Sequence, residues 1–311
     1  PPRPLAGDIV KLAPPRGSTW DPRRIVAQRG SIVGKRVGRV LTARYRRKLE
    51  AGRLPPITAT RKLDLDMLSF SCERDVPEQA LSIRSLLRYV GEPVSFSIVS
   101  DGTITSRSAK LLEAISPVVR VMSVAEYADG VEVPPSVYAY RDKPHGKKLT
   151  ALLAMRPTDR PVCYVDSDVL FHVGGHGFAD LVDAVGDRAY FLQDCQEALD
   201  VRLVPPEQRY PPVNSGFLLT GRPIDWTEAT RRLGEIGEAD APGYGWSEQS
   251  TAHLAYRAAG AEPLPPDACV VAIDDAHTWS DRYVGESTWL RHYVTGTRFK
   301  MWLCLLGAVE P

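Results

Sequence analysis

The feature that most constrains this chain is a regular alternation of short apolar runs with amphipathic stretches between Met67 and Asp166. Met67–Cys72 has strand character. Pro77 then opens a stretch at a first helical position, and Ala80, Ile83, Leu86, Leu87 and Val90 follow at helical spacing until Gly91 stops them. Val94–Ser100 reads as a second strand, Ser106–Ile115 as a helix, Val118–Val124 as a third strand, Lys147–Met155 as a helix and Val162–Val165 as a fourth strand. This order predicts an α/β fold with a parallel sheet and helices on both faces. Ligands of such sheets bind beyond the carboxyl ends of the strands, so the residues that follow each strand carry the argument about function.

The fourth strand runs directly into Asp166-Ser167-Asp168, and Val169-Leu170-Phe171 follows. Two acids inside an apolar run are costly unless something compensates them. Alternate carboxylates at a strand end can converge on one divalent ion, and hard oxygen ligands suit magnesium or manganese. Such an ion can hold a diphosphate and neutralise it as it leaves. The bland alternative is a polar strand exit with two solvated acids. Three further stretches point the same way. Lys147-Lys148 stands near the start of the helix before the strand. Val213-Asn214-Ser215-Gly216 reads as a polar turn entering a strand, and Trp246-Ser247-Glu248-Gln249 opens a helix. Finally His292, Gly296 and Lys300 share one loop ending at Trp302. There a His can complete a metal site, a Gly lets backbone approach a phosphate and a Lys can neutralise it.

Charge is distributed unevenly. The formal net charge is +1, yet residues 1–60 hold fourteen Lys/Arg against three Asp/Glu, so the rest of the chain is acidic. This basic N-terminal extension reads as an arm packed on the acidic body, as a surface attracting an anionic membrane or polymer, or as a flexible leader. No aromatic interleaving or nucleic-acid motif accompanies it, so nucleic acid is not an expected partner. Residues 61–311 then form the body. The five cysteines contain no CxxC pair, which fits a reducing compartment and five small buried hydrophobes. No uninterrupted apolar stretch is long enough to span a bilayer, and Pro1–Val10 does not resemble a secretory leader. A cytoplasmic protein, peripheral to the membrane through its basic segment, is expected.

Taken in order, these motifs resemble the nucleotide-sugar glycosyltransferases of the GT-A fold, and among them glycosyltransferase family 8, the family of glycogenin and of lipopolysaccharide galactosyltransferases. That family shows a Lys or Arg before the metal strand, then Asp-x-Asp, Asn-Ser-Gly or Asn-Ala-Gly, Asp-Gln, and His-x-x-Gly-x-x-Lys-Pro-Trp. This chain offers Lys148, Asp166/Asp168, Asn214-Ser215-Gly216, Glu248-Gln249 and the stretch His292–Trp302. It departs in Glu248, which replaces the usual Asp. It also departs in the last motif, where each gap is one residue longer and Met301 replaces Pro.

The resemblance implies a GT-A-like Rossmann-type sheet flanked by helices. It implies manganese (or magnesium) bound by Asp166, Asp168 and His292, with a nucleotide-diphosphate sugar donor, UDP-linked by preference. Lys148, Asn214, Ser215, Gly216, Gly296 and Lys300 would contact the donor, and Asp194, Glu248 and Gln249 would line the sugar and acceptor pocket as catalytic candidates. It further implies transfer, of a hexose by preference, with retention of configuration to an acceptor that is a glycan, a lipid-linked sugar or a small molecule. Inversion would need Asp194 or Glu248 as base. Two other classes stay open: a non-catalytic nucleotide-sugar or glycan-binding module of the same fold, and a haloacid dehalogenase-type phosphatase. The phosphatase motif stands in the first strand and is followed by Thr or Val. Here three strands precede it, and Leu170 holds that position.

Overall fold

The computed structural model describes residues 31–236 and 246–306. The strand–helix alternation is present: β1 (Lys62–Ser71), α2 (Val76–Tyr89), β2 (Glu92–Ser100), α3 (Ser106–Glu113), β3 (Val119–Ser123), α4 (Pro144–Leu153) and β4 (Val162–Val165). They are preceded by α1 (Ile32–Glu50). After β4 come β5 (Val169–Phe171), α5 (His176–Asp183), β6 (Ala189–Gln193), β7 (Val213–Thr220), α6 (Thr227–Ile236) and α7 (Ser247–Ala258). The described chain closes with β8 (Glu262–Pro263), β9 (Cys269–Val271), β10 (Leu290–His292) and a 3-10 helix over Thr295–Leu306. No helix among the described residues is long and apolar enough to cross a membrane.

Seven strands form the main sheet in the order β3-β2-β1-β4-β7-β6-β8. The expected parallel pairing holds from β3 to β4, but β7 runs antiparallel to both β4 and β6. The sheet is therefore mixed. An antiparallel neighbour needs no crossover helix, and only the loop 194–212 separates β6 from β7. The stretch Asn214-Ser215-Gly216, expected as a turn, is instead part of β7, a strand buried along its whole length.

Side chains of β4 alternate between two cores, as a pleated strand requires. Cys163 and Val165 join Met67, Ile83, Phe96, Phe171 and Phe217 on one face of the sheet. Val162 and Tyr164 join Leu68, Phe191, Leu218 and Tyr256 on the other. Both faces are covered, so β4 carries no charged residue until the strand ends at Asp166. Of the cysteines, Cys163 and Cys269 are buried, Cys72 is half-buried and Cys195 is exposed, contrary to the expectation that all are interior; Cys304 lies outside the described side chains.

A second sheet, β5-β10-β9, sits beside the carboxyl end of β4. In it His292 is paired with Val169, antiparallel and in register. The described part of the basic block is not a free arm. The N-terminus of α1 is capped by Ser31, whose hydroxyl accepts from Gly34 N. Tyr45 and Leu49 enter the main core, and the Tyr45 ring lies 5.5 Å from that of Trp302. Gly34 and Gly38 lie directly under Phe299: a Cβ on Gly38 would stand 3.0 Å from the Phe299 Cβ and 3.2 Å from its Cα. Residues 1–30 of the block lie outside the described residues. A Gly38→Leu substitution should cost about 1–3 kcal/mol through overpacking, read as a lower urea midpoint with an unchanged slope; wild-type stability would contradict this packing.

Candidate active site

The tripeptide Asp166-Ser167-Asp168 joins the two sheets. Asp166 N–H donates to the Gly216 carbonyl of β7 at 2.8 Å, while the Asp168 carbonyl accepts from Tyr293 N–H, next to β10, at 2.9 Å. One carboxylate is thus hung on each sheet, and both project into a cavity of about 370 Å³. Lys148, on the second turn of α4, reaches the same point. Its Nζ lies 3.1 Å from Asp166 Oδ1, 3.3 Å from Ser215 Oγ and 3.7 Å from Glu248 Oε1. Burial works against the ammonium, but Asp166 and Glu248 hold its pKa above the ordinary lysine value. Tyr164, from within β4, donates its hydroxyl to Asp166 at 2.5 Å.

His292 faces both acids: Nε2 is 3.1 Å from Asp168 Oδ1 and 3.7 Å from Asp166 Oδ2. Its other nitrogen, Nδ1, is 2.9 Å from Asn214 Oδ1. The tautomer follows from the surroundings. Gly216 N–H can only donate, and it donates to Asn214 Oδ1 at 2.9 Å. Asn214 Nδ2 donates to Asp194 Oδ2 at 2.8 Å. With Oδ1 fixed as an acceptor, His292 Nδ1 must carry a proton, so Nε2 is the nitrogen turned toward the carboxylates, and its lone pair faces them when that atom gives up its proton. This is how a protein orients a histidine ligand. Gly216 is required for it, since a Cβ there would lie 2.2 Å from His292 Cε1.

Asp166, Asp168 and His292 each offer a ligand atom, all within 4.8 Å of one another. Two hard oxygens and an imidazole nitrogen with a fixed lone pair suit a divalent ion such as manganese or magnesium. Around them stand Asp194, Gln249 and Glu248. Asp194 Oδ2 also accepts from Gln249 Nε2 at 3.1 Å and its Oδ1 from Gln196 N–H at 3.0 Å. Burial raises the Asp194 carboxyl above its usual range, against the pull of Asn214. Burial likewise raises Glu248, opposed by Lys148. Glu248 Oε2 accepts from Ser215 Oγ at 3.2 Å, and its Oε1 is buried without a hydrogen-bond partner.

Two expected donor contacts are placed elsewhere. Gly296 is buried, does not line the cavity and does not take a positive φ; the residue that does is Thr295, at +42°. Lys300 turns away from the cavity into a buried ion-pair cluster. Its Nζ donates to Asp275 Oδ2 at 2.6 Å and to the Ser280 carbonyl at 2.7 Å, and Asp275 also pairs with Arg291 at 2.8 Å. The reason is the local conformation. The stretch read as a loop is a 3-10 helix, in which residues three apart share a face. Thr295 and Arg298 therefore face the cavity together, and Lys300 faces the opposite way. Arg298 was missed by the sequence reading. It lies 3.1 Å from Asp75 and 3.6 Å from Asp168. Burial would raise the Asp168 carboxyl, but Arg298 and His292 hold it well below its usual range. The i,i+3 spacing of Thr295 and Arg298 was the available signal. Asp75 and His145 also line the cavity and carried no motif, and Trp246, which opens the Glu248-Gln249 stretch, lines it too.

The chain resembles solved structures at the level of fold. Mouse xyloside xylosyltransferase 1 in its apo form matches at 15% identity and a TM-score of 0.50, over 76% of this chain and 99% of that one. The fold is GT-A-like. The galactosyltransferase LgtC, as an active-site mutant, matches at 13% identity and a TM-score of 0.45, over 78% of this chain and 97% of that one. A mannosyltransferase from Pyrobaculum calidifontis, with GDP-Man and Mn2+, matches at 15% identity and a TM-score of 0.36, over 78% and 65%. No protein-family model and no curated protein matches the chain.

Two outcomes follow from this GT-A-like site. Burial lowers the His292 pKa, but the two acids more than offset it and hold it above the ordinary 6.5. Metal and proton compete for Nε2, so manganese affinity measured by calorimetry should fall as pH drops from ~8 to ~6; a flat profile would contradict the assignment. Lys300→Met should cost about 3 kcal/mol in urea denaturation, because it unbalances a buried charge cluster. Manganese affinity should be unchanged, and a loss of affinity at full stability would put Lys300 back in the site.

Proposed function

We propose that the chain is a metal-dependent glycosyltransferase that moves a sugar from a nucleotide-diphosphate donor to an acceptor. The observation that carries this reading is the convergence of Asp166, Asp168 and His292 from two sheets, with Lys148 and Arg298 on either side of them in one cavity of a GT-A-like fold. Manganese or magnesium held by Asp166, Asp168 and His292 would supply Lewis-acid neutralisation of the donor diphosphate. Arg298, in the role the family resemblance gave to Lys300, provides a fixed positive charge beside the same diphosphate. Lys148, held by Asp166 and Ser215, faces the donor sugar. Glu248 Oε1, ion-paired with Lys148 at 3.7 Å but accepting no hydrogen bond, is an acceptor for one of the sugar's hydroxyls.

Retention of configuration is the outcome favoured. Both carboxylates that could serve as base are committed: Asp194 holds Asn214, Gln249 and the backbone at Gln196, and Glu248 faces Lys148 and Ser215. The acceptor proton then passes to the departing phosphate on the same face while the C1–O bond breaks with oxocarbenium character. In this reading Asp194 and Gln249 are positioning residues that fix Asn214, and through it His292. Trp246 lines the cavity and is 40% exposed, which suits stacking against a sugar ring and so an acceptor of glycan type. A UDP-linked hexose is the donor favoured by the family resemblance. The four described cysteines are all free, in keeping with a cytoplasmic compartment.

The test is manganese-dependent release of nucleoside diphosphate from a panel of UDP-sugars and GDP-sugars. Asp168→Asn, nearly isosteric, should reduce release to background, and Arg298→Ala should lower turnover about 100-fold, the cost of removing one charge-stabilising donor. Undiminished release by Asp168→Asn would overturn the proposal.

A further inference from the structure

We infer that α1 forms a docking face for an anionic lipid surface. Ile32, Arg36, Arg39, Val40, Ala43 and Arg47 recur at helical spacing along the side of α1 that faces away from Phe299 and the core, and all six are exposed. Lys35 and Arg44 flank them, also exposed. The one acid on α1, Glu50 at its far end, accepts from Arg46 at 3.1 Å. The face is therefore strongly cationic, although the body it belongs to is acidic.

Charge alone does not choose a partner, but the aliphatic residues do. Ile32 is 72% exposed, Val33 58% and Val40 66%, all interleaved with the cations. The opposite side of α1 is covered: Phe299 lies over Gly34 and Gly38, and the Trp279 ring packs edge-on against Phe299 at 6.2 Å. Ser31 N–H, at the start of α1, donates to the Ala276 carbonyl beside it. A nucleic-acid backbone would satisfy the cations and leave three large apolar side chains in water. A bilayer interface takes both: the guanidinium and ammonium groups meet anionic headgroups while Val and Ile enter the acyl boundary. Such a face carries the protein on a membrane without crossing it. Phe299 is adjacent in sequence to Arg298 of the cavity, so the docked helix and the site share one rigid segment.

This inference does not depend on the proposed reaction, because its test uses neither donor nor metal. The full chain is floated with phosphatidylcholine vesicles, and with vesicles in which about a third of the lipid is phosphatidylglycerol. Binding should be at least about fivefold greater on the anionic vesicles and should fall as salt is raised. The variant R36E/R39E/R47E should lose that binding at an unchanged melting temperature, and I32S/V40S should weaken it on anionic vesicles at every salt concentration. Equal flotation by the charge-reversed variant would overturn the inference, as would failure of the wild type to bind anionic vesicles. So would binding to duplex DNA, without flotation, that is lost in the same variant.

Discussion

Everything in this structure turns on the cost of ending a fully buried strand with two carboxylates. β4 has apolar cores on both faces, so Asp166 and Asp168 emerge from it with little water to stabilise them. Unpaired, they would be expensive. Each compensating group arrives from a different part of the chain: Lys148 from α4, His292 from β10 and Arg298 from the 3-10 helix. The fold can be read as the arrangement that brings these three to one point. The small sheet exists beside the large one because β5 continues directly from the acids and pairs with β10. That pairing closes a separation of 124 residues between Asp168 and His292.

Around this charge balance lies a layer of neutral hydrogen bonds that sets orientation. Gly216 is the least substitutable member. Its carbonyl holds Asp166, its N–H holds Asn214, and its missing side chain leaves room for the His292 ring. Asn214 relays that constraint to the imidazole, and Asp194 with Gln249 keeps Asn214 in place. A sequence motif of three small or polar residues thus acts as a template for one histidine tautomer. The Lys300–Asp275–Arg291 cluster is a separate device. It cross-links the 3-10 helix and β10 to the loop between β9 and β10, and so supports the two segments that present Arg298 and His292.

Much of this was legible in the sequence where local periodicity and local chemistry agree. β1 to β4 and α2 follow from the alternation of apolar residues. Asp166 and Asp168 follow from acids at the exit of an apolar strand, and Lys148, Asn214, Gln249 and His292 from the order of short motifs that resembles a known family; all of them line the cavity. What was not legible depends on long-range pairing. The antiparallel direction of β7 is set by its neighbours and leaves no mark in its own apolar run. The exchange of Lys300 for Arg298 turns on whether the segment after β10 coils as a loop or winds at three residues per turn, and that segment packs through Phe299 against Gly34 and Gly38 of α1, far away in sequence. The same packing explains why α1 belongs to the body. Its buried side is two glycines, a Tyr and a Leu, a pattern that net charge hides.

The most direct measurement is thermal stability of the chain with UDP, GDP, ADP and CMP, each with and without manganese. A ligand that binds only the folded protein raises the melting temperature according to its concentration relative to its dissociation constant. The account predicts stabilisation by one nucleoside diphosphate, dependent on manganese, present in wild type and absent in Asp168→Asn. Stabilisation that is independent of manganese, or that survives in Asp168→Asn, would contradict it.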